Sequence, residues 1–489
     1  MLMIPVDPNC TKPIYLQIVD HITALARNGQ LRASDRLPPS RALAEQLQVH
    51  RSTIVNAYEE LKARGIIEAR QGSGSFIVDG LMDGSVMARP AAAPALTQPE
   101  DLVAELWRLN RAEGILSLAL GLPADDLIPL DDFDRIRQRV LRRDGAKALN
   151  YEDPQGYYPL RRAMAVDLAR HGILAEADDI IITWGAQEGI SLVARALAAP
   201  GDCGLTEVPT FFGTLFNLGH LGINLLGFEL SAAGPDWMSL TRQLEAAPAH
   251  PRFVSVIPDH HNPTGIRWAM SQRHEFLHFM AERDIPVIED ATYRDLTFEG
   301  PPHLPLRALD PEVIHVGSAS KVLMPGLRIG FIVANGRLRE YLIRLKTITS
   351  GSGEPLGQRA LAEFLLSGNY AAHLERVVPV YRARRDAMLH ALEEYFPPEA
   401  RWTHPSGGFY VWVTIPPSIS LEALFRQALE RGIAIAPAAA FYPYGSTPNA
   451  FRLTYSRYPE EVLIHALRTL GGLLTAMLRH GRTHRSGHP

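Results

Sequence analysis

Cysteine is almost absent: Cys10 and Cys203 are the two in 489 residues. Their scarcity excludes a disulfide framework and a four-ligand cysteine metal site, and it suits a reducing compartment. Neither sign of charge dominates. Lys and Arg number 49 against 53 Asp and Glu, a formal net of −4, so contact with nucleic acid must come from a local basic surface rather than from bulk charge. The sequence shows no run approaching the roughly 18 apolar residues of a membrane span, and MLMIPVDPNC lacks the charged-then-apolar pattern of a secretory leader. The expected location is cytoplasmic, with no membrane partner. What is plentiful is ordinary: 46% hydrophobic and 21% charged residues describe a globular chain. At roughly 100 to 200 residues per domain its length implies about two to four domains.

The first strong punctuation follows Val78, where DGLMDGSVMARPAAAPALTQPED runs without a periodic apolar face. The expected division is a module over 1–78, a linker over 79–110, a large domain over 111–478 and a flexible Arg- and His-rich tail over 479–489.

In the N-terminal module, Ile18, Ile22, Leu25 and Ala26 give an amphipathic helix over Tyr15 to Arg27. Ser40 is placed to cap a second helix, Arg41 to Leu47. A third, Ser52 to Arg64, gathers Ile54, Ala57, Tyr58 and Leu61 on one face and is stopped by Gly65. IIEAR and SFIV then alternate as strands around Gln71, Gly72, Ser73 and Gly74, a hairpin with a glycine tip. Three helices and a hairpin make a winged helix-turn-helix, whose third helix enters the major groove of double-stranded DNA while its wing lets backbone approach phosphate. Arg41, Arg51 and Arg70 are the candidate charge contacts, with Ser52 and Thr53 at the start of the third helix and Gly72 and Gly74 in the wing. The run LPPSRALAEQLQVHRSTIVNAYEELKARGIIEARQGSGSFIV resembles the DNA-binding domain of GntR-family bacterial regulators along its whole length. One departure is His50, where that family usually carries a serine that caps the recognition helix.

From about Tyr151 the pattern changes to DIIITW, CGLTE, RFVSVI, IPVIED, VIHVGS and LRIGFIVA, short β-branched runs mostly separated by helix-length segments. That reads as an α/β fold with a large, mainly parallel sheet whose ligand sites lie at strand ends. Four motifs fall there. Trp184-Gly185-Ala186-Gln187 is a glycine turn opening a helix, suited to a phosphate. His260-His261-Asn262-Pro263-Thr264-Gly265, Asp290-Ala291-Thr292-Tyr293, and Ser318-Ala319-Ser320-Lys321 with Pro325-Gly326-Leu327-Arg328 follow three further strands. A lysine, a carboxylate, a phenol, an amide, a helix end and an arginine near hydroxyls together make up what a pyridoxal 5'-phosphate site needs.

The stretch from about Leu116 to Leu474 resembles fold-type I aminotransferases, most specifically in SASKVLMPGLRIG. The resemblance implies a mainly parallel large domain with a smaller α+β domain, and it assigns roles residue by residue. Lys321 is the Schiff-base and proton-transfer lysine, Asp290 pairs with the pyridinium nitrogen, and Tyr293 and Asn262 hydrogen-bond the ring's phenolic oxygen. Phe211 stacks on the ring. Ser318, Ser320, Arg328 and the backbone of Gly185 and Ala186 hold the phosphate. Tyr151, in NYEDPQGYYPLR, reaches the phosphate from the neighbouring subunit of a homodimer, and Arg452, in FRLTYS, binds a substrate α-carboxylate. Ala438 stands where that family usually has glycine. His260 and His261 have no third ligand at motif spacing, so no metal is expected, and Cys203 reads as core.

A winged helix fused in this order to an aminotransferase-like domain resembles the MocR subfamily of GntR-type regulators. The resemblance implies a regulator whose C-terminal domain senses pyridoxal phosphate, or an amino-acid or amine effector bound to it, and passes that binding to the DNA operator through linkage. The alternative is a working aminotransferase with an appended DNA-binding domain, because each expected catalytic position carries its usual residue and HNPTG is the form seen in true aminotransferases.

Overall fold

The computed structural model describes residues 4, 6, 13–27, 31, 35–63, 66–70, 74–77, 99–443 and 447–485, in two compact units that part at Ala92 and Ala93. The wing residues Gln71, Gly72 and Ser73, the helix stop Gly65, and Cys10 lie outside the described residues.

The first unit holds helices Ile14–Arg27, Ser40–Leu47 and Arg51–Ala63, then the antiparallel pair Ile67–Arg70 and Gly74–Ile77, with Arg70 opposite Gly74. Of the apolar faces expected from the spacing, Ile18, Ile22, Ile54, Ala57 and Leu61 are buried, together with Leu43, Ile67 and Ile77, while Leu25 and Tyr58 are half-buried. The Tyr58 hydroxyl donates to the Pro38 carbonyl (2.7 Å), pinning the third helix to the LPPS turn. Ser40, expected as the cap of the second helix, does not cap it. Ser40 is already helical, and Pro39 occupies the capping position, accepting from the Leu43 N–H through its own carbonyl (3.0 Å) with no side-chain cap.

The second unit is built on an eight-stranded sheet. Its spatial order is Ile180–Thr183, Gly330–Val333, Ile314–Ser318, Val287–Asp290, Val254–Val256, Cys203–Val208, Asn224–Ser231 and Gly234–Pro235. The five strands from Ile314–Ser318 through Asn224–Ser231 are mutually parallel, while Gly330–Val333 runs antiparallel to both of its neighbours. Every residue of Ile180–Thr183 and of Val287–Asp290 is buried, as in strands covered on both faces. A smaller antiparallel sheet orders Arg401–Trp402, Tyr410–Thr414, Ala450–Thr454 and Ala436–Pro437.

Two spans differ from the sequence reading. The range 79–110 ends in a helix, Pro99–Leu109, whose Leu102, Leu106 and Leu109 are buried in the main core. The final helix runs Glu460–Arg485, so the backbone of residues 479–485 continues the helix instead of fraying. Within it, Glu460–Arg479 is long and apolar enough to cross a membrane by composition. Its Leu463, Leu467, Leu470 and Leu474 are buried in the core, which accounts for that apolarity in a globular fold.

Candidate functional site

Loops leaving the strand ends of a parallel sheet converge on one side, which brings residues distant in sequence together. Lys321 follows Ile314–Ser318, and its Nζ donates a 2.8 Å hydrogen bond to the Gly121 carbonyl. Burial, helped by the Arg452 and Arg328 guanidiniums, lowers the lysine pKa to about 8, against the pull of Asp290. Such an amine is partly neutral near physiological pH and can act as a nucleophile.

Asp290 ends its strand with Oδ1 accepting from the Thr292 N–H (3.0 Å) and hydroxyl (2.5 Å). Burial raises its pKa and the two Thr292 bonds oppose the rise. The Tyr293 phenol meets the Tyr410 phenol at 2.8 Å. Burial, then the neighbouring Tyr410, holds the Tyr293 proton well above the ordinary phenol value.

Arg452 lies on Ala450–Thr454 and is 1% exposed. Its Nη1 donates to Asn262 Oδ1 (2.6 Å), its Nη2 donates to the Ala119 carbonyl, and its Nε has no partner among the described residues. The Tyr410 and Phe441 rings flank the guanidinium, with centroids 4.2 and 4.6 Å from Cζ. Burial lowers the guanidinium's pKa, since a cation there is poorly solvated. A carboxylate would supply what the buried cation lacks.

At the other end, Gly185 (φ 87°) starts helix Ala186–Leu197 without a side-chain cap, so the positive end of the helix faces the turn. Arg328, itself left-handed at φ 52°, donates from Nη2 to the Trp184 carbonyl (2.9 Å), and Ser318 Oγ accepts from the Ser320 N–H (3.1 Å). The close approach depends on Gly330: a Cβ there would meet the Gly185 carbonyl carbon at 2.4 Å. Phe211 precedes helix Phe212–His220, its ring 4.6 Å from that of Phe212. Tyr151, in contrast, is 95% exposed and takes no part in this buried cluster.

Sequence reasoning missed several members. Glu188 turns its carboxylate back onto the Trp184 N–H (2.6 Å). Gly121 holds the lysine, and Tyr410 joins Tyr293 to Arg452; its only sequence signal was an aromatic after paired glycines in GGFYVW. His260 and His261 are both buried. His261 Nδ1 lies 2.7 Å from the Thr264 hydroxyl and His260 Nε2 lies 2.8 Å from that of Thr297. Cys203 is buried in its strand.

In the first unit, Arg41, Arg51, Ser52 and Asn56 are exposed, while Thr53 is half-buried beside the core residue Ile54. His50 accepts from the Thr53 N–H through its carbonyl (2.9 Å), and its ring nitrogen Nδ1 lies 3.1 Å from the Ser52 hydroxyl. In the wing, Gly74 adopts φ 114°, and a Cβ on it would touch Arg36 Nε at 3.1 Å. Exposed Arg36 is a further basic group at the wing that the sequence reading did not single out. Arg70 ends the first wing strand.

Residues 114–470 match the aminotransferase class I and II family, and residues 14–77 match the gntR family of bacterial regulatory proteins. The chain belongs to the aminotransferase class I and II family. With its N-terminal helix-turn-helix it is a GntR-type regulator fused to an aminotransferase-like domain. It is 32% identical to the HTH-type transcriptional regulator YdfD of Bacillus subtilis (strain 168), over 94% of this chain and 96% of that one. It is 26% identical to the probable rhizopine catabolism regulatory protein MocR of Rhizobium meliloti, over 98% and 97%. Among solved structures, LysN, the α-aminoadipate aminotransferase of Thermus thermophilus complexed with N-(5'-phosphopyridoxyl)-L-leucine, superposes with a TM-score of 0.72. That match has 35% identity and covers 77% of this chain and 95% of the other.

Proposed function

We propose that the second unit binds pyridoxal 5'-phosphate at Lys321 and that the chain is a cytoplasmic DNA-binding regulator which senses that cofactor, or an amino acid or amine carried on it. The residues suit the group. An uncapped helix end beside Arg328, with Ser318 paired to the Gly330 that packs on Gly185 and Ser320 two residues on, suits a phosphate, a buried carboxylate at Asp290 suits a pyridinium, and a lysine lowered to about 8 suits an aldehyde. When bound, the cofactor supplies an aldehyde that condenses with amines and a ring that withdraws electrons.

The chain's own residues do the rest. Lys321 Nζ, parked on the Gly121 carbonyl, offers its lone pair and afterwards carries a proton to or from the ligand carbon. Arg452, held by Asn262 Oδ1, fixes the ligand carboxylate, Tyr293 and Asn262 donate toward the ring oxygen, and Phe211 packs against the ring. Ala438, buried in the short helical turn Ala438–Phe441, lies in the stretch before Arg452 where that family usually has glycine. Exposed Tyr151 serves the phosphate of a second copy, which makes the working unit a homodimer. Arg41, Arg51, Ser52, Thr53, Arg70, Gly72 and Gly74 meet double-stranded operator DNA.

The observation that carries this reading is a buried Arg452, its Nε without a partner among the described residues, whose charge helps lower Lys321, in a chain that also presents an exposed helix-turn-helix face. The test is to titrate the protein with amino acids and amines while following cofactor absorbance, then to repeat the responsive ligands while measuring affinity for the DNA upstream of its own gene. A ligand that alters both supports the sensor. The intact lysine, carboxylate and arginine set also supports transamination. Keto-acid release with DNA affinity unmoved would make the chain an aminotransferase carrying a DNA-binding domain.

A further inference from the structure

Tyr410 begins strand Tyr410–Thr414, opposite Thr454 of the strand that carries Arg452. Its phenol lies 2.8 Å from that of Tyr293, the two rings meeting edge-on at 73° with centroids 5.6 Å apart. Its face carries the Arg452 guanidinium at 4.2 Å. Gly121, whose carbonyl holds Lys321, packs so closely that a Cβ on it would lie 2.1 Å from the Tyr410 oxygen. One buried side chain therefore touches the carboxylate arginine, the ring-oxygen phenol and the loop that holds the lysine.

We propose that Tyr410 is a positioning residue that couples Arg452 to Tyr293, so that a carboxylate engaging the arginine is felt at the proton Tyr293 offers the cofactor ring. The proposal rests on cofactor binding at Lys321. A cation over the Tyr410 ring draws electron density from it and strengthens its hydroxyl as a donor. A phenol that accepts a hydrogen bond becomes a better donor in turn, and in a low-dielectric site such chains reinforce one another. Either phenol can donate between the two, and once Tyr293 turns its own proton to the ring oxygen Tyr410 becomes the donor to it, so that the guanidinium strengthens the donation Tyr293 makes onward. A bound carboxylate neutralises the cation and weakens the whole chain. Replacing the hydroxyl while keeping the ring cuts the relay but leaves the cation–π contact.

The experiment is a pH titration of the bound cofactor's visible absorbance in full-length wild type, Tyr410→Phe, Tyr293→Phe and the double variant, each with and without propionate, a carboxylate lacking an amine. A weaker donor leaves the ring oxygen more basic. The midpoint of Tyr410→Phe is therefore expected to rise by about half a pH unit, a roughly threefold change in proton affinity. Propionate is expected to raise the wild-type midpoint and to move that of Tyr410→Phe much less. In the Tyr293→Phe background, Tyr410→Phe is expected to add nothing. An unchanged midpoint in Tyr410→Phe overturns the coupling, as does an equal shift in both backgrounds. Should Tyr410→Phe not retain cofactor, Tyr293→Phe decides: an undiminished response to propionate overturns the relay. Wild-type protein that takes up no cofactor overturns the parent reading and this one with it, an outcome distinct from the others.

Discussion

Arg452 Nη1 donates a 2.6 Å hydrogen bond to Asn262 Oδ1, joining a strand of the small sheet to the turn that follows a strand of the large one. A planar guanidinium can keep that bond and still present its remaining N–H groups to a carboxylate, whereas an ammonium cannot reproduce the fork. Arg452→Lys is expected to weaken amino-acid ligands by about 10- to 100-fold, roughly 1.4 to 2.7 kcal/mol. Amines without a carboxylate should bind as before. Titrating both ligand classes by cofactor absorbance checks this, and equal losses for the two would remove the carboxylate role.

The lysine sets a pH dependence. Because burial brings Lys321 to about 8, its amine is protonated below that pH and neutral above it, and only the neutral form attacks an aldehyde. Cofactor uptake by stripped protein should accelerate as pH rises from about 6.5 and level off above about 9. Lys321→Ala should lose the lysine-linked visible band. Stopped-flow absorbance measures the profile, and a rate that is flat across this range would contradict the lowered amine.

Much of this arrangement was legible because local chemistry marked it. A period-3.6 apolar face placed Ile54, Ala57 and Leu61 in the first core, and turn motifs at strand ends placed Asp290, Asn262 and Lys321 on one side of the sheet. What escaped depends on tertiary contact. Gly121 and Tyr410 are far apart in the chain and carry no shared motif, yet a Cβ on the first would strike the second. The Pro99–Leu109 helix was hidden by the Pro- and Ala-rich stretch before it, although Leu102, Leu106 and Leu109 repeat at helical spacing. Ser40 looked like a cap because Ser often is one, but the preceding Pro39 had already taken the position.

Leu106 makes that helix testable. It is fully buried in the main core with Leu102 and Leu109. Leu106→Ala should cost about 2 to 5 kcal/mol of stability, as truncation of a packed leucine does. Denaturant unfolding of the cofactor-loaded protein measures it. A loss under about 1 kcal/mol would mean the helix belongs energetically to the linker.

For DNA, Arg51 is exposed at the start of helix Arg51–Ala63, where a side chain reaches the groove or its phosphates. Arg51→Ala should weaken operator binding and, if it meets a phosphate, lower the slope of affinity against salt by about one unit. Cofactor absorbance should be untouched, since the substitution lies in the other compact unit. Unchanged operator affinity over a range of salt would remove Arg51 from the interface.

Gly121→Ala tests the lysine's setting without altering any titratable group. The new methyl would lie 2.1 Å from the Tyr410 oxygen and 2.5 Å from its Cζ, far inside van der Waals contact. Tyr410 cannot swing away cheaply, because its ring is packed between Tyr293, Phe409 and Arg452. The segment bearing Gly121 must therefore retreat, carrying with it the carbonyl that accepts from Lys321. The expected result is weaker cofactor retention, about tenfold or more, with the N-terminal unit's DNA binding preserved when measured without ligand. A Gly121→Ala protein with the wild-type absorbance spectrum and cofactor affinity would show that the close contact can relax without moving the lysine.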